Sequence, residues 1–208
     1  MAARSSKSIN TPRVWQRMLS GRRLDLLDPS PMDIEIEDIA HGLARVARWN
    51  GQTTGSYAFS VAQHSLVVVA ICETLFPTLK PEQKLMALLH DGPEYVIGDM
   101  ISPFKAILGD SYKDIEQRLE EAIHLRFGLP ARTPKSLKKM IKHADRVCAW
   151  FEAIQLAGFK PEEADKFFGH PPDTISLDLV PDPAEDAQAQ FIAKHVELLT
   201  AVEAGRAA

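Results

Sequence analysis

Lys84-Leu85-Met86-Ala87-Leu88-Leu89-His90-Asp91 is an apolar, helix-forming run that ends on an imidazole and a carboxylate, and Gly92-Pro93 breaks it immediately afterwards. Upstream, His64 sits in the nearly all-apolar stretch Val61-Ala62-Gln63-His64-Ser65-Leu66-Val67. Downstream, Asp145 lies one turn from Ile141 on the inward side of another helical pattern. Burying two imidazoles and two carboxylates among leucines and valines is costly unless something compensates. One divalent cation satisfies all four. His90 and Asp91 are about 100° apart around a helix, so both reach one ion only over the helix edge that Gly92 opens.

Two nitrogens and two carboxylate oxygens form a borderline-hard ligand set that leaves positions open on a six-coordinate ion. Manganese, cobalt, iron or nickel are favoured, and magnesium or zinc are compatible. Open positions point to catalysis, because the ion can polarise both a water and a phosphoryl oxygen. Glu94 and Asp99 fall within one or two turns of these ligands, where a carboxylate can take a proton from water or return one to a leaving oxygen. Lys105, in Ser102-Pro103-Phe104-Lys105, offers point charge to a phosphate. Arg48 offers a fork for a phosphate and Trp49 a flat wall for a base or sugar.

The 208 residues are 45% hydrophobic, enough for one domain with a continuous core. A formal charge of -4 and a pI near 6.0 give no basic footprint, so nucleic acid is not an expected partner. Cys72 and Cys148 both lie in apolar helical stretches and read as buried free thiols in a reducing compartment. The polar start, Met1 to Asn10, lacks an apolar core of its own, and no run reaches membrane-spanning length. The expected location is the cytoplasm, with no membrane partner.

The expected fold is all-α, a helical bundle preceded by a small hairpin. Residues 1–36 form an N-terminal extension, in which Trp15–Leu19 reads as a helical turn. Leu24–Leu27 and Ile34–Ile36 flank the Pro-rich turn Asp28–Pro31 as hairpin strands. Residues 37–160 form the core, opening with a helix from Glu37 to Trp49 that Asn50-Gly51 closes. Ser60–Phe76, a helix opened by Pro81, Asp110–Phe127 and a long helix follow, the last with Thr133 as N-cap and Pro134 at its first position. Residues 161–208 provide a linker and a last helix that packs on the core through Ile192, Val196 and Leu199. This helix and Phe167-Phe168 offer spare apolar surface, which makes a homodimer the candidate assembly. His143 faces about 200° away from Asp145 on a helix and cannot join it. His41, His124, His170 and His195 sit in no matching motif.

Taken together, His64, His90-Asp91 and Asp145 resemble the pattern of the HD-domain phosphohydrolases. Arg48-Trp49, Gln63-His64-Ser65, Leu89-His90-Asp91-Gly92-Pro93-Glu94, Gly98-Asp99 and Ser102-Pro103-Phe104-Lys105 look like the bacterial 5'-deoxynucleotidase branch. The similarity runs from about Ile39 to Ile154. It implies that the four ligands hold one divalent ion and that Glu94 is the catalytic carboxylate. It further implies that Asp99 contacts the sugar 3'-hydroxyl, Arg48 the phosphate, and that Trp49 crowds out a ribose 2'-hydroxyl. The implied reaction converts a small-molecule nucleotide, a deoxynucleoside 5'-monophosphate, to nucleoside and phosphate. The chain departs from the branch at Gln63, where an acidic residue is usual, and in residues 51–60. Two other readings stay open: a related hydrolase acting on deoxynucleoside triphosphates or another phosphate ester, and a non-catalytic binding module that keeps the metal as a structural tie.

Overall fold

The computed structural model describes residues 13–101, 104, 107–108 and 110–207. Among these, the regular elements are helices apart from one antiparallel ribbon of β1 (Trp15–Arg17) and β2 (Arg23–Asp25) and an isolated bridge. The helices are α1 (Ile36–Leu43), α2 (Val61–Leu75), α3 (Pro81–Leu88), α4 (Glu94–Ile97), α5 (Asp110–Arg126), α6 (Lys135–Gln155), α7 (Pro161–Phe168) and α8 (Ala184–Ala207). None is long and apolar enough to cross a membrane.

α2 is the centre of the bundle because its sequence is apolar almost all round, and such a helix is stable only when neighbours cover every face. It packs on α6, α3 and α8. Ser60 caps its start by accepting from the Gln63 amide, 3.2 Å away. α1 crosses α4 closely: a Cβ on Gly42 would lie 2.8 Å from both Cβ and the carbonyl oxygen of Tyr95. Gly92 has the same reason to be glycine, since a Cβ there would meet the Leu89 carbonyl at 2.9 Å and Ile123 at 3.2 Å. The tight turn carrying His90 and Asp91 is thereby pressed against α5.

Four expectations about the elements need correction. Trp15–Arg17 is a strand, and it pairs with Arg23–Asp25 around Ser20-Gly21 rather than across the Pro-rich turn. Ser20 decides this by binding both carboxylate oxygens of Asp38 on α1, through its amide at 2.9 Å and its hydroxyl at 2.5 Å. α1 ends at Leu43, and Arg48–Gly51 forms a separate tight turn. Pro134 is the N-cap of α6, while the Thr133 hydroxyl donates to Glu120 at 3.1 Å. On α8 the buried stripe is Ala187, Phe191, His195, Leu198 and Val202, whereas Val196 is exposed. Ile192 and Leu199 only flank that stripe.

His195 enters this stripe as an apolar filler. It is buried with neither ring nitrogen hydrogen-bonded, edge-on to Phe127 at 4.4 Å between centroids. Burial pushes its pKa from 6.5 down to about 4. The unfolded chain therefore binds a proton that the folded chain refuses, and stability falls as the pH drops below 6.5 toward 4. Between about pH 7 and about pH 5 this one group removes about 2 kcal/mol. Chemical denaturation across that range should show a shallower pH slope for His195→Leu than for wild type, and equal slopes would contradict the assignment.

Candidate metal and phosphate site

Three helical segments converge on one point. His64 projects from the second turn of α2, His90 and Asp91 from the turn after α3, and Asp145 from the middle of α6. His64 Nε2 lies 3.5 Å from Asp91 Oδ2 and 3.4 Å from Asp145 Oδ1, and His90 Nε2 lies 3.2 Å from Asp91 Oδ2. The donor atoms of His64, His90 and Asp145 all fall within 4.8 Å of one another. No other histidine joins a candidate ligand group among the described residues, and His143 packs against Phe76 instead.

The tautomers are set from behind. His64 Nδ1 meets Glu152 Oε1 at 2.5 Å, and His90 Nδ1 meets the Ala87 carbonyl at 2.8 Å, so each Nδ1 carries the proton and donates. Both Nε2 atoms are buried, face carboxylates, and have no hydrogen bond of acceptable geometry. Two orphaned nitrogens opposite two carboxylates, at separations too poorly aligned for direct bonding, fit a divalent cation among them. The charges agree. Burial and Arg48 push the His64 imidazole down, yet Glu152 and its neighbours carry it well above 6.5, which favours positive charge at that point. Burial pushes Asp91 and Asp145 up, but the two imidazoles outweigh it and hold both carboxylates well below their usual range. Lys142 adds a 2.7 Å contact to Asp145 Oδ2.

Arg48 and Trp49 reach this site through the chain that joins α1 to α2. Ala47 bridges to Ser60, and the Arg48 amide donates to the Phe59 carbonyl at 2.8 Å, which fixes the turn beside the start of α2. Arg48 then donates to Asp99 at 3.0 Å and to Glu152 at 3.2 Å. Trp49 and Asn50 hold left-handed φ values of 57° and 51°. For a bulky residue this conformation costs roughly 1–3 kcal/mol and persists only where surroundings impose it. Here the indole N–H donates to Glu152 Oε2 at 2.8 Å, and the ring packs on Phe159 and Phe168 at 5.5 and 5.9 Å. Phe168 thus belongs to the wall behind Trp49, while Phe167 remains exposed.

Glu94 opens α4 and is buried, and its amide donates to the Asp91 carbonyl at 3.0 Å, one tight turn from His90 and Asp91. Asp99 is paired with Arg48. Lys105 lies outside the described residues. Gln63 clamps the C-terminal strap: its Nε2 donates to the Val180 carbonyl and its Oε1 accepts from the Asp182 amide, both at 3.1 Å. A carboxylate there would lack the donor that Val180 needs.

Glu152 is the residue that the sequence reading missed. It is fully buried and meets His64, Cys148, Arg48 and Trp49. Burial pushes its carboxyl up, but Arg48 and His64 outweigh that and hold it at about 2. Its signal was available, since Asp145, Cys148 and Glu152 are spaced at i, i+3 and i+7 and share one helix stripe. Glutamate is rarely fully buried unless paired, which is why the stripe reads as ending in apolar residues.

Against known proteins, residues 38–167 match the family model described as 5'-deoxynucleotidase YfbR-like. An uncharacterised protein of Rhodobacter capsulatus is 57% identical over 189 residues, covering 90% of this chain and 96% of the relative.

Proposed function

From the premise that this chain belongs to the YfbR-like 5'-deoxynucleotidase family, we propose that it hydrolyses deoxynucleoside 5'-monophosphates to deoxynucleoside and phosphate with the help of one divalent ion. His64, His90, Asp91 and Asp145 hold that ion. When bound, it supplies Lewis acidity to a phosphoryl oxygen and to the attacking water. The observation that carries this reading is the pair of buried, unbonded Nε2 atoms facing two ionised carboxylates.

The protein's own groups divide the remaining work. Arg48 donates through Nε to Glu152 and through Nη1 to Asp99; its Nη2, without a hydrogen-bond partner among the described residues, serves a phosphate oxygen, and its charge persists at any working pH. Glu94, in the low-dielectric turn beside the ligands, accepts a proton from the attacking water and returns one to the leaving 5'-oxygen. Asp99 accepts a hydrogen bond from the sugar 3'-hydroxyl with the oxygen that Arg48 does not use. Lys105 is proposed to supply positive charge to the phosphate. Trp49, locked by its backbone and by two phenylalanines, leaves no room for a 2'-hydroxyl.

A phosphate-release screen over deoxy- and ribonucleoside mono-, di- and triphosphates, with manganese, cobalt, iron, nickel, magnesium or zinc added, tests this. The expected result is turnover of deoxynucleoside monophosphates, strongest with a transition ion. A preference for triphosphates would replace the substrate assignment, and no release with any metal would support the non-catalytic reading. In the same assay Trp49→Ala should lower the deoxy-to-ribo ratio by about tenfold or more, the scale set by one small group in a tight pocket. An unchanged ratio would remove that role from Trp49.

A further inference from the structure

One carboxylate faces both halves of the site. Glu152 Oε1 accepts from His64 Nδ1 at 2.5 Å and from Cys148 Sγ at 3.2 Å. Oε2 accepts from Trp49 Nε1 at 2.8 Å and from Arg48 Nε at 3.2 Å. These four donors use the acceptor capacity of an ionised carboxylate, and the group is planar and completely buried, so it cannot turn for one side without disturbing the other.

We propose that Glu152 is a positioning residue that ties the cation pocket to the sugar and phosphate anchors, setting the His64 tautomer with one oxygen and the Trp49 and Arg48 poses with the other. The proposal rests on the functional reading above and extends it to a residue that touches neither ion nor substrate. Without the Oε1 contact, no other acceptor among the described residues selects Nδ1 as the protonated nitrogen of His64, and the imidazole loses both its orientation and part of its basicity toward a cation. Without the Oε2 contacts, the left-handed Trp49 turn loses its only hydrogen bond from the indole and relaxes, because an αL conformation of a bulky residue needs to be imposed. A merely structural buried carboxylate, neutralised by Arg48, would leave both properties in place once the fold was intact.

Glu152→Gln is the test, since the amide keeps the shape but offers one acceptor oxygen and one donor group. Whichever way it turns, one of His64 and the Trp49–Arg48 pair faces an N–H instead of an oxygen, and the other keeps only a neutral acceptor in place of an ionised one. Cobalt(II) binding to the ion-free protein, measured by calorimetry in the absence of substrate, should weaken by about 10–100-fold. Saturating cobalt should then restore much of kcat, while the deoxy-to-ribo ratio stays several-fold lower than in wild type. Cobalt affinity within twofold of wild type, or an unchanged deoxy-to-ribo ratio in the cobalt-saturated variant, would overturn the proposal. Should the variant not fold, the zinc-loaded wild type decides by long-range proton–nitrogen NMR. Zinc on Nε2 leaves the His64 proton on Nδ1, so the readout is its shift: a strongly deshielded Nδ1 proton supports the tie, and a proton at the shift of a solvent-bonded imidazole refutes it. Wild type that binds cobalt but hydrolyses no nucleotide defeats the functional reading alone, because the calorimetric and NMR results still judge Glu152.

Discussion

Asp145→Ala protein is expected to retain its fold, bind no stoichiometric divalent ion, and lose phosphate release by roughly 10³-fold or more, the several kcal/mol that a Lewis acid contributes to such a reaction. Among the described residues Asp145 and Asp91 are the carboxylates facing the two Nε2 atoms, so on the proposed reading the loss of Asp145 removes half of the charge that would balance a dication. The neighbouring contact it leaves behind is cheap to break, because Lys142 is exposed and an exposed ion pair contributes little. Metal analysis of the purified variant, grown and dialysed with cobalt or manganese, and a thermal melt separate loss of the ion from loss of the fold. A variant that holds one ion per chain at wild-type affinity would remove Asp145 from the ligand set.

The second large effect is the opposite in kind. Glu94→Gln should bind the ion as wild type does and yet turn over at least about 10²-fold more slowly, the scale of a lost general acid–base group. Glu94 begins α4 rather than ending α3, so its side chain belongs to the turn beyond His90 and Asp91. The measurement is kcat at saturating metal and nucleotide alongside metal affinity. Turnover within a few-fold of wild type would show that the proton is handled elsewhere, and a simultaneous loss of metal would place Glu94 among the ligands.

The bundle was legible because its signals are local. α2 announces itself by a run of valines and isoleucine between Ser60 and Pro77, and α3 by Pro81 at its start and Gly92-Pro93 after its end. The four residues that converge on the site stood out because histidine and aspartate are conspicuous in apolar helices. What escaped was decided by partners distant in the chain. The ribbon turns at Ser20-Gly21 because Ser20 finds Asp38 eighteen residues away, and no turn propensity encodes that contact. The helix predicted through Trp49 stops at Leu43 because the following segment bridges to Ser60. Trp49 itself adopts a conformation that its own side chain disfavours, imposed by Glu152, Phe159 and Phe168 from more than a hundred residues later. On α8 the buried face is the one that accepts a histidine, and His195 reads as polar until Phe127 is placed against it.

The most direct measurement is diffraction from crystals grown with cobalt(II), recorded at the cobalt absorption edge. The expected result is one anomalous peak per chain bounded by His64 Nε2, His90 Nε2 and the carboxylates of Asp91 and Asp145. A crystal in which those four side chains surround no peak, while cobalt binds elsewhere or not at all, would contradict it.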